Sequence, residues 1–492
     1  MKGKLSSVLI VGIIGLVLAT VAGLVIAKTG ILSILIIPLM ALAVILCYAI
    51  LKSPELGWLL IIFFLPFERV PSYEVAGVNL KINTLIGFLT LISWVLALMF
   101  SPKKYKVQPN FLSIPLSLFV LALMISLAQA ENFSRAISVL IFILFTLALS
   151  VLAVNMVHSR ETLRQSVIIL FLAGAVVGLF GLFQFGGDVF GLPRSLTLLK
   201  EGYTSAVFGF PRVQAFSMEP LYFANFLLIP LSISLALFIN RAEPIKRGWL
   251  MGLIGLLLLN FILTVSRGGY LGLVGSLLVL GILLFRRLFN WKTILIGVVT
   301  VTLVIYGVAF AISQGQTRAT IEFLGHVRLQ DLRRGESVEG RLMSYKKGLV
   351  AFRQSPIFGK GVGNYGPWSK DYPAAAPKTG WPIVNNQYIE LLAETGVAGV
   401  GTFLLVIIFL FFRTFIALKY ARDVFLRSVL IGLFAALVGV LIQYNFMSTL
   451  YIIHIWVLIG LLVGVQNIIL MQNAKVKMQN AFRHANVKSK MS

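Results

Sequence analysis

AISVLIFILFTLALSVLAVNMV, residues 136–157, carries no ionisable side chain. A hydrocarbon layer about 30 Å thick needs about 20 such residues for a helix to cross it, because no water is present there to satisfy an open backbone. The stretch therefore reads as a membrane helix. Comparable apolar runs lie near 8–27, 31–51, 56–67, 82–100, 111–129, 166–185, 221–240, 248–265, 269–285, 293–313, 397–418, 427–447 and 451–470, the third being short. With 59% hydrophobic and 12% charged residues and a mean hydropathy of +0.95, the chain has more apolar surface than a soluble core can hide. The expected fold class is an all-α integral membrane protein with about 12–14 crossings.

The run Val8 to Ala27 follows the basic start MKGKL as a signal peptide would, but it is long for one and lacks a small-residue cleavage site, so it reads as a retained span. The single cysteine, Cys47, excludes an internal disulfide and a cysteine metal cluster and argues against redox chemistry. A formal net charge of +25 raises the question of nucleic acid. The basic residues come in short groups between apolar runs, however, without an aromatic-bearing basic domain, and membrane topology accounts for them.

With a cytoplasmic N-terminus, the cytoplasmic connections hold Lys103, Lys104 and Lys106; Arg160 and Arg164; Arg241, Lys246 and Arg247; Arg286, Arg287 and Lys292; and Lys419, Arg422 and Arg427. The tail, also cytoplasmic, adds Lys475, Lys477, Arg483, Lys488 and Lys490, and the whole follows the positive-inside rule. This threading leaves two long loops on the opposite face, Gly186 to Pro220 and Gln314 to Gly396. The chain then divides into an N-terminal bundle (1–185), a central membrane region with the first external loop (186–313), a large external loop (314–396), C-terminal membrane helices (397–470) and a basic tail (471–492). The large loop carries Arg318, Arg328, Arg333, Arg334, Arg341, Lys346, Lys347, Arg353, Lys360, Lys370 and Lys378 against few acids. Long loops translocate regardless of charge, so this charge is free to serve an anionic ligand. The span interiors hold almost no ionisable groups, which counts against a charged-solute transporter or a proton-coupled pump.

Four segments concentrate the polar chemistry. In FPRVQAFSMEPLYFANF (Phe210 to Phe226), Arg212 and Glu219 sit beside a span, where an arginine fork grips phosphate and a carboxylate takes a proton; the plain alternative is an interfacial ion pair. In LTVSRGGYLGLVG (Leu263 to Gly275), Arg267 and two glycines form a tight turn on the wrong face for orienting a span, the alternative being a side chain that reaches lipid headgroups. In EGRLMSYKKGLVAFRQSPIFGKGVGNYGPW (Glu339 to Trp368), the stripe Leu342, Tyr345, Leu349 and Phe352 predicts an amphipathic helix over Arg341 to Gln354, ended by Ser355-Pro356. The glycine-rich loop after it suits either an anion held by backbone N–H groups or a plain flexible connection, and it lacks the Lys-Ser/Thr ending of a P-loop. In WPIVNNQYIELLAETGVAG (Trp381 to Gly399), polar Asn386, Glu390 and Glu394 oppose apolar Ile389, Leu392, Ala393 and Val397. That pattern predicts a short amphipathic helix with Asn385 or Asn386 as N-cap and Gly396 at its end.

In this order and spacing, Ser266 to Gly269, Gly340-Arg341 through Pro356, Gly361-Val362-Gly363-Asn364-Tyr365 and Asn385 to Gly399 resemble the bacterial O-antigen ligase and polymerase family of polytopic membrane glycosyltransferases. The resemblance covers roughly 211–400. It implies a GT-C-like helical architecture in the bacterial cytoplasmic membrane and a glycan carried on a polyprenyl diphosphate, moved at the outer face to a hydroxyl acceptor. The acceptor is a second lipid-linked repeat in a polymerase and the lipid A core in a ligase. A chain-length regulator or a flippase would be its partner, and nucleic acid has no place.

By the same resemblance Arg212, Arg267 and Arg341 grip the diphosphate, Gly361, Gly363, Asn364 and Tyr365 form a substrate loop, and no cofactor or metal is needed because arginines stabilise the leaving charge. The chain departs from the family at Asn385-Asn386, where His-Asn is common. Asparagine orients a hydroxyl but takes no proton near neutral pH, so the base falls to Glu219 first and Glu390 second. His326 is the one histidine of the external loops. The missing histidine tilts the reading from ligase toward polymerase. A lipid-linked oligosaccharide flippase, a different class with a similar span count, should line a central cavity with charge.

Overall fold

The computed structural model describes residues 33–69, 72–75, 78–242, 245–285, 336–370 and 380–491. The expected spans 8–27 and 293–313, His326, Arg286, Arg287, Lys292, Arg318, Arg328, Arg333, Arg334 and Lys378 lie outside the described residues. The long helices are α1 (Ser33–Lys52), α2 (Pro54–Phe64), α3 (Ile82–Phe100), α4 (Ser113–Ser126), α5 (Phe133–Met156), α6 (Arg160–Val189), α7 (Pro220–Asn240), α8 (Arg247–Leu263), α9 (Arg267–Leu283), α10 (Glu336–Gln354), α11 (Gln387–Tyr420), α12 (Val424–Gln443) and α13 (Ile453–Met491). One antiparallel hairpin, β1 (Ser72–Val75) with β2 (Val78–Lys81), departs from the all-α expectation.

Seven helices, α3, α5, α6, α7, α11, α12 and α13, are long and apolar enough to cross a membrane, and shorter apolar helices fill the remaining expected spans among the described residues. The chain is a multi-pass integral membrane protein. The short third run is α2, capped by Ser53 with Pro54 in its first turn and 11 residues long. At 1.5 Å per residue that is about 16 Å, half the hydrocarbon layer. The chain therefore turns at Leu65 to Glu68 without completing a crossing.

Close packing of α9 on α12 sets the centre of the bundle. A Cβ on Gly272 would lie 2.7 Å from the Gly439 carbonyl oxygen and 2.5 Å from Gln443 Cγ, so the two backbones touch. Dispersion and interhelical hydrogen bonds hold membrane helices where water offers no hydrophobic drive, and small residues make that approach possible. Ser232 and Ser276 hydroxyls (2.7 Å) and Asn240 with Ser428 (2.8 Å) supply such bonds around it.

The two surface helices form where the pattern predicts them, and the faces they turn inward overlap the predicted apolar stripes only in part. In α10, Tyr345, Gly348 and Ala351 pack on Val384 and Ile389, while Leu342, Met343, Leu349 and Val350 stay exposed. Gly348 and Ala351 leave room for a close neighbour, whereas the larger residues cover the side away from the protein. Lys346, Lys347 and Arg353 are exposed beside them, an arrangement suited to a membrane interface. In the first turns of α11, Ile389 and Ala393 pack inward as the apolar stripe predicts, and the polar-face carboxylates Glu390 and Glu394 accept from backbone groups of the protein.

Gly396 breaks α11 as expected, with φ 63° and ψ −161°. The turn after α10 fills the break, since Val397 and Ala398 N–H donate to the Pro356 and Ile357 carbonyls at 2.9 and 3.2 Å.

Candidate functional site

Three of the four polar segments meet at one end of the bundle. Arg212 lies in the loop before α7, and its main chain is clamped by Arg212 N to Tyr203 O (2.8 Å) and Val213 N to Leu263 O (3.0 Å). The guanidinium donates to the Thr264 and Val265 carbonyls at 3.4 and 3.1 Å and lies 5.5 Å from the Tyr203 ring centre. The Phe210–Phe226 segment is thereby fastened to the turn that starts α9, where Ser266 caps the helix and the half-buried Arg267 opens it.

Burial, chiefly, and the charge of Arg341 hold the Arg212 guanidinium below its ordinary value, while Tyr203, Tyr270 and Glu219 oppose that shift. Arg341, half-buried on α10, is thus brought into electrostatic range of Arg212 from far along the chain. Burial also pushes the Tyr203 phenol up to about 12, so it stays neutral beside them.

Two cations that went unremarked in the sequence complete this basin. Lys200 donates to Met218 O at 2.7 Å and feels both Arg69 and Glu219. Arg69, just past α2, donates to Leu198 O and through its main chain to Phe216 O. Stacked rings of Phe67, Phe216 and Phe180, at 4.7 and 4.2 Å, hold the loop on α2 and α6. A lone arginine after a short apolar run carries little signal by itself. Its place on the loop face, against the charge bias of the other connections, was the cue available.

Glu219 is exposed at the start of α7, and its carboxylate makes no hydrogen bond or ion pair among the described residues. Glu390, the second candidate base, is buried and accepts from Val384 N at 2.7 Å, which commits one of its oxygens to the turn before α11. Asn386 is the N-cap, accepting from Tyr388 and Ile389 N–H at 3.1 Å and donating to Asn445 O. Asn385 is half-buried with φ 59°, and the Tyr345 hydroxyl donates to its carbonyl at 3.3 Å. Asparagine and histidine are both enriched at such left-handed positions, so the backbone here admits either.

The glycine loop differs most from expectation. Gly361, Gly363, Asn364 and Tyr365 are buried, and the anion their backbone meets is internal: Glu394 accepts from Gly363 N (2.8 Å) and Tyr365 N (3.1 Å). Asn364 and Asn132 exchange hydrogen bonds, and Arg135 Nε donates to Gly363 O at 2.6 Å. This loop is joinery between α5 and α11, with those N–H groups already occupied. Glu394, Asn132 and Arg135 were not singled out as its partners because nothing local in the sequence pairs them with it.

Beside the basin opens a cavity of about 280 Å³, lined by Glu68, Lys81, Asn83, Met218, Thr449 and Tyr451 among others. No curated protein matches the chain. Residues 250–404, from α8 through the break in α11, match the family model described as O-antigen ligase. That segment carries Arg267, Arg341 and the Asn385–Gly399 stretch, and over it this membrane protein is similar to the O-antigen ligase family.

Proposed function

We propose that the chain is a glycan polymerase, joining polyprenyl-diphosphate-linked oligosaccharide repeats at the outer face of the cytoplasmic membrane. The reading is carried by the clamping of Arg212 onto the turn that opens α9 with Arg267, with Arg341, from a separate segment, within electrostatic range of Arg212. Like charges gathered in this way are stabilised by an anion between them, and a diphosphate offers several oxygens to planar guanidinium forks. Arg267, at the head of α9 and two residues from a carbonyl bonded by Arg212, belongs to the same grip. As the glycosidic carbon separates from the diphosphate, negative charge grows on the leaving oxygen, and fixed guanidinium groups stabilise it without a metal ion.

Ligase activity is the second reading. The matching family model is described by it, whereas Asn385 stands where the family often has histidine. In lipid nanodiscs, the parent protein should lengthen a lipid-diphosphate-linked oligosaccharide without ATP, and Arg212→Ala or Arg341→Ala should abolish the lengthening and weaken farnesyl diphosphate binding at least tenfold. Unchanged binding in both variants overturns the assignment of the grip. Transfer to a non-glycan acceptor but not to a second repeat would favour the ligase.

A further inference from the structure

A buried polar chain runs from α9 to the cavity. Gln443 Nε2 donates to the Gly269 carbonyl (3.4 Å), Asn225 Nδ2 donates to Gln443 Oε1 (2.6 Å), and Asn225 Oδ1 faces His454 Nε2 at 2.7 Å. A carbonyl can only accept, so the direction of every link follows from Gly269, and His454 Nε2 must carry a proton. The other ring nitrogen, Nδ1, lies 3.2 Å from Glu68 Oε1. A neutral imidazole would then turn a lone pair toward a carboxylate. The contact is favourable only with a proton between the two groups, whichever of them holds it.

Glu68 is 6% exposed and lines the cavity, and among the described residues neither of its oxygens has a hydrogen-bond partner, His454 Nδ1 lying close by without hydrogen-bond geometry. Thr449 Oγ1, on the same wall, is also buried without a hydrogen-bond partner. Such groups cost free energy unless something occupies the space beside them. The cavity's 280 Å³ is at the low end for ligand sites, about 300–1,000 Å³, and suits one sugar ring more than a chain. Phe142, Tyr222 and Tyr451 offer ring faces, and Asn83 and Lys81 offer polar heads. Met218 joins this wall directly to Glu219 and, through Lys200, to the arginine basin. Glu219 itself is exposed, and its carboxylate has no hydrogen bond or ion pair among the described residues to orient it.

Resting on the reading of the chain as a lipid-linked glycan transferase, we propose that this cavity receives the terminal sugar of the acceptor and that Glu68, backed by His454, takes the proton of the attacking hydroxyl. The acceptor oxygen forms its bond to the anomeric carbon of the donor, and the bond from that carbon to the diphosphate oxygen breaks. The electron pair leaves on the diphosphate, held by the arginines. The hydroxyl proton passes to the Glu68 carboxylate and is shared with His454 Nδ1, removing the lone-pair contact described above. Release of that proton to water or to the departing diphosphate resets the pair.

The test uses the full chain in nanodiscs, with farnesyl diphosphate binding and transfer from a lipid-diphosphate-linked oligosaccharide measured side by side. Glu68→Gln should lower transfer about 10²- to 10⁴-fold, the range for a lost general base, while binding stays within about twofold of the parent. Glu68→Asp should recover part of the rate. Lys81, Tyr222 and Tyr451 also face the cavity but remain in every variant.

Thr84→Trp, on the cavity wall, should block transfer and spare binding. Glu68→Gln transfer within tenfold of the parent, or the same loss moved to Glu219→Gln, overturns the proposal. If Glu68→Gln loses binding as well, Thr84→Trp decides: selective loss of transfer supports the cavity, and a parental rate overturns it. Failure of the parent to bind farnesyl diphosphate instead counts against the donor reading.

Discussion

Replacing Glu394 with alanine should release the glycine loop. The carboxylate accepts from Gly363 N and Tyr365 N at 2.8 and 3.1 Å within a loop that is buried from Gly361 to Pro367. A buried donor left without a partner costs about 1–3 kcal/mol, so two of them cost about 2–6 kcal/mol. The main-chain bonds from Lys360 N to Ala393 O and from Gly361 N to Glu394 O survive the change, so the loss is confined to the far half of the loop. Glutamine keeps one acceptor and should give roughly half the effect. Limited proteolysis of the nanodisc protein reads this directly, together with the fluorescence of Trp368 and Trp381, which lie on either side of the loop's contacts. Cleavage between 355 and 370 should rise steeply for Glu394→Ala and moderately for Glu394→Gln. Equal protection of the Ala variant and the parent would refute the reasoning, because the loop would then owe its fixity to something other than the internal carboxylate.

Asn385→His should leave the melting temperature unchanged because both residues tolerate the left-handed backbone, whereas Asn385→Val should cost about 1–2 kcal/mol, measured by thermal unfolding in detergent. Gly272→Leu should reduce the yield of folded protein sharply, since its Cβ alone would stand 2.7 Å from the Gly439 carbonyl oxygen; size-exclusion chromatography checks it. Glycan transfer in the presence of a strong divalent-metal chelator should proceed at the parent rate if guanidinium groups carry the leaving charge, and loss of activity restored by added metal would contradict that.

The membrane spans were legible because burial in lipid demands the same thing of every crossing, an unbroken apolar run, and α2 stood out as short on length alone. Gly396 and Ser355-Pro356 were legible as helix ends for equally local reasons. Periodicity marked a stripe on α10 but could not say that Gly348 and Ala351 would turn toward the protein and Leu342 and Leu349 away, because a helix between protein and lipid has two apolar sides. Likewise the polar face of α11 was legible but the partner of Glu394 was not, since nothing near it in sequence announces Gly363. The pairing of Glu68 with His454 joins residues far apart in the chain, one at the end of a short apolar run and the other within the last one. Only the fold makes them neighbours.

The polar chain from Gly269 to Glu68, hydrogen-bonded as far as His454 Nε2, also sets an order of events in synthesis. Its members arrive as Glu68, Asn225, Gly269, Gln443 and lastly His454, so a nascent protein inserted helix by helix carries an unpaired Glu68 and a half-built amide relay until α13 enters the bilayer. Until then, on the proposal above, Glu68 has no histidine behind it, and the proton-accepting pair comes into being only when α13 joins the bundle.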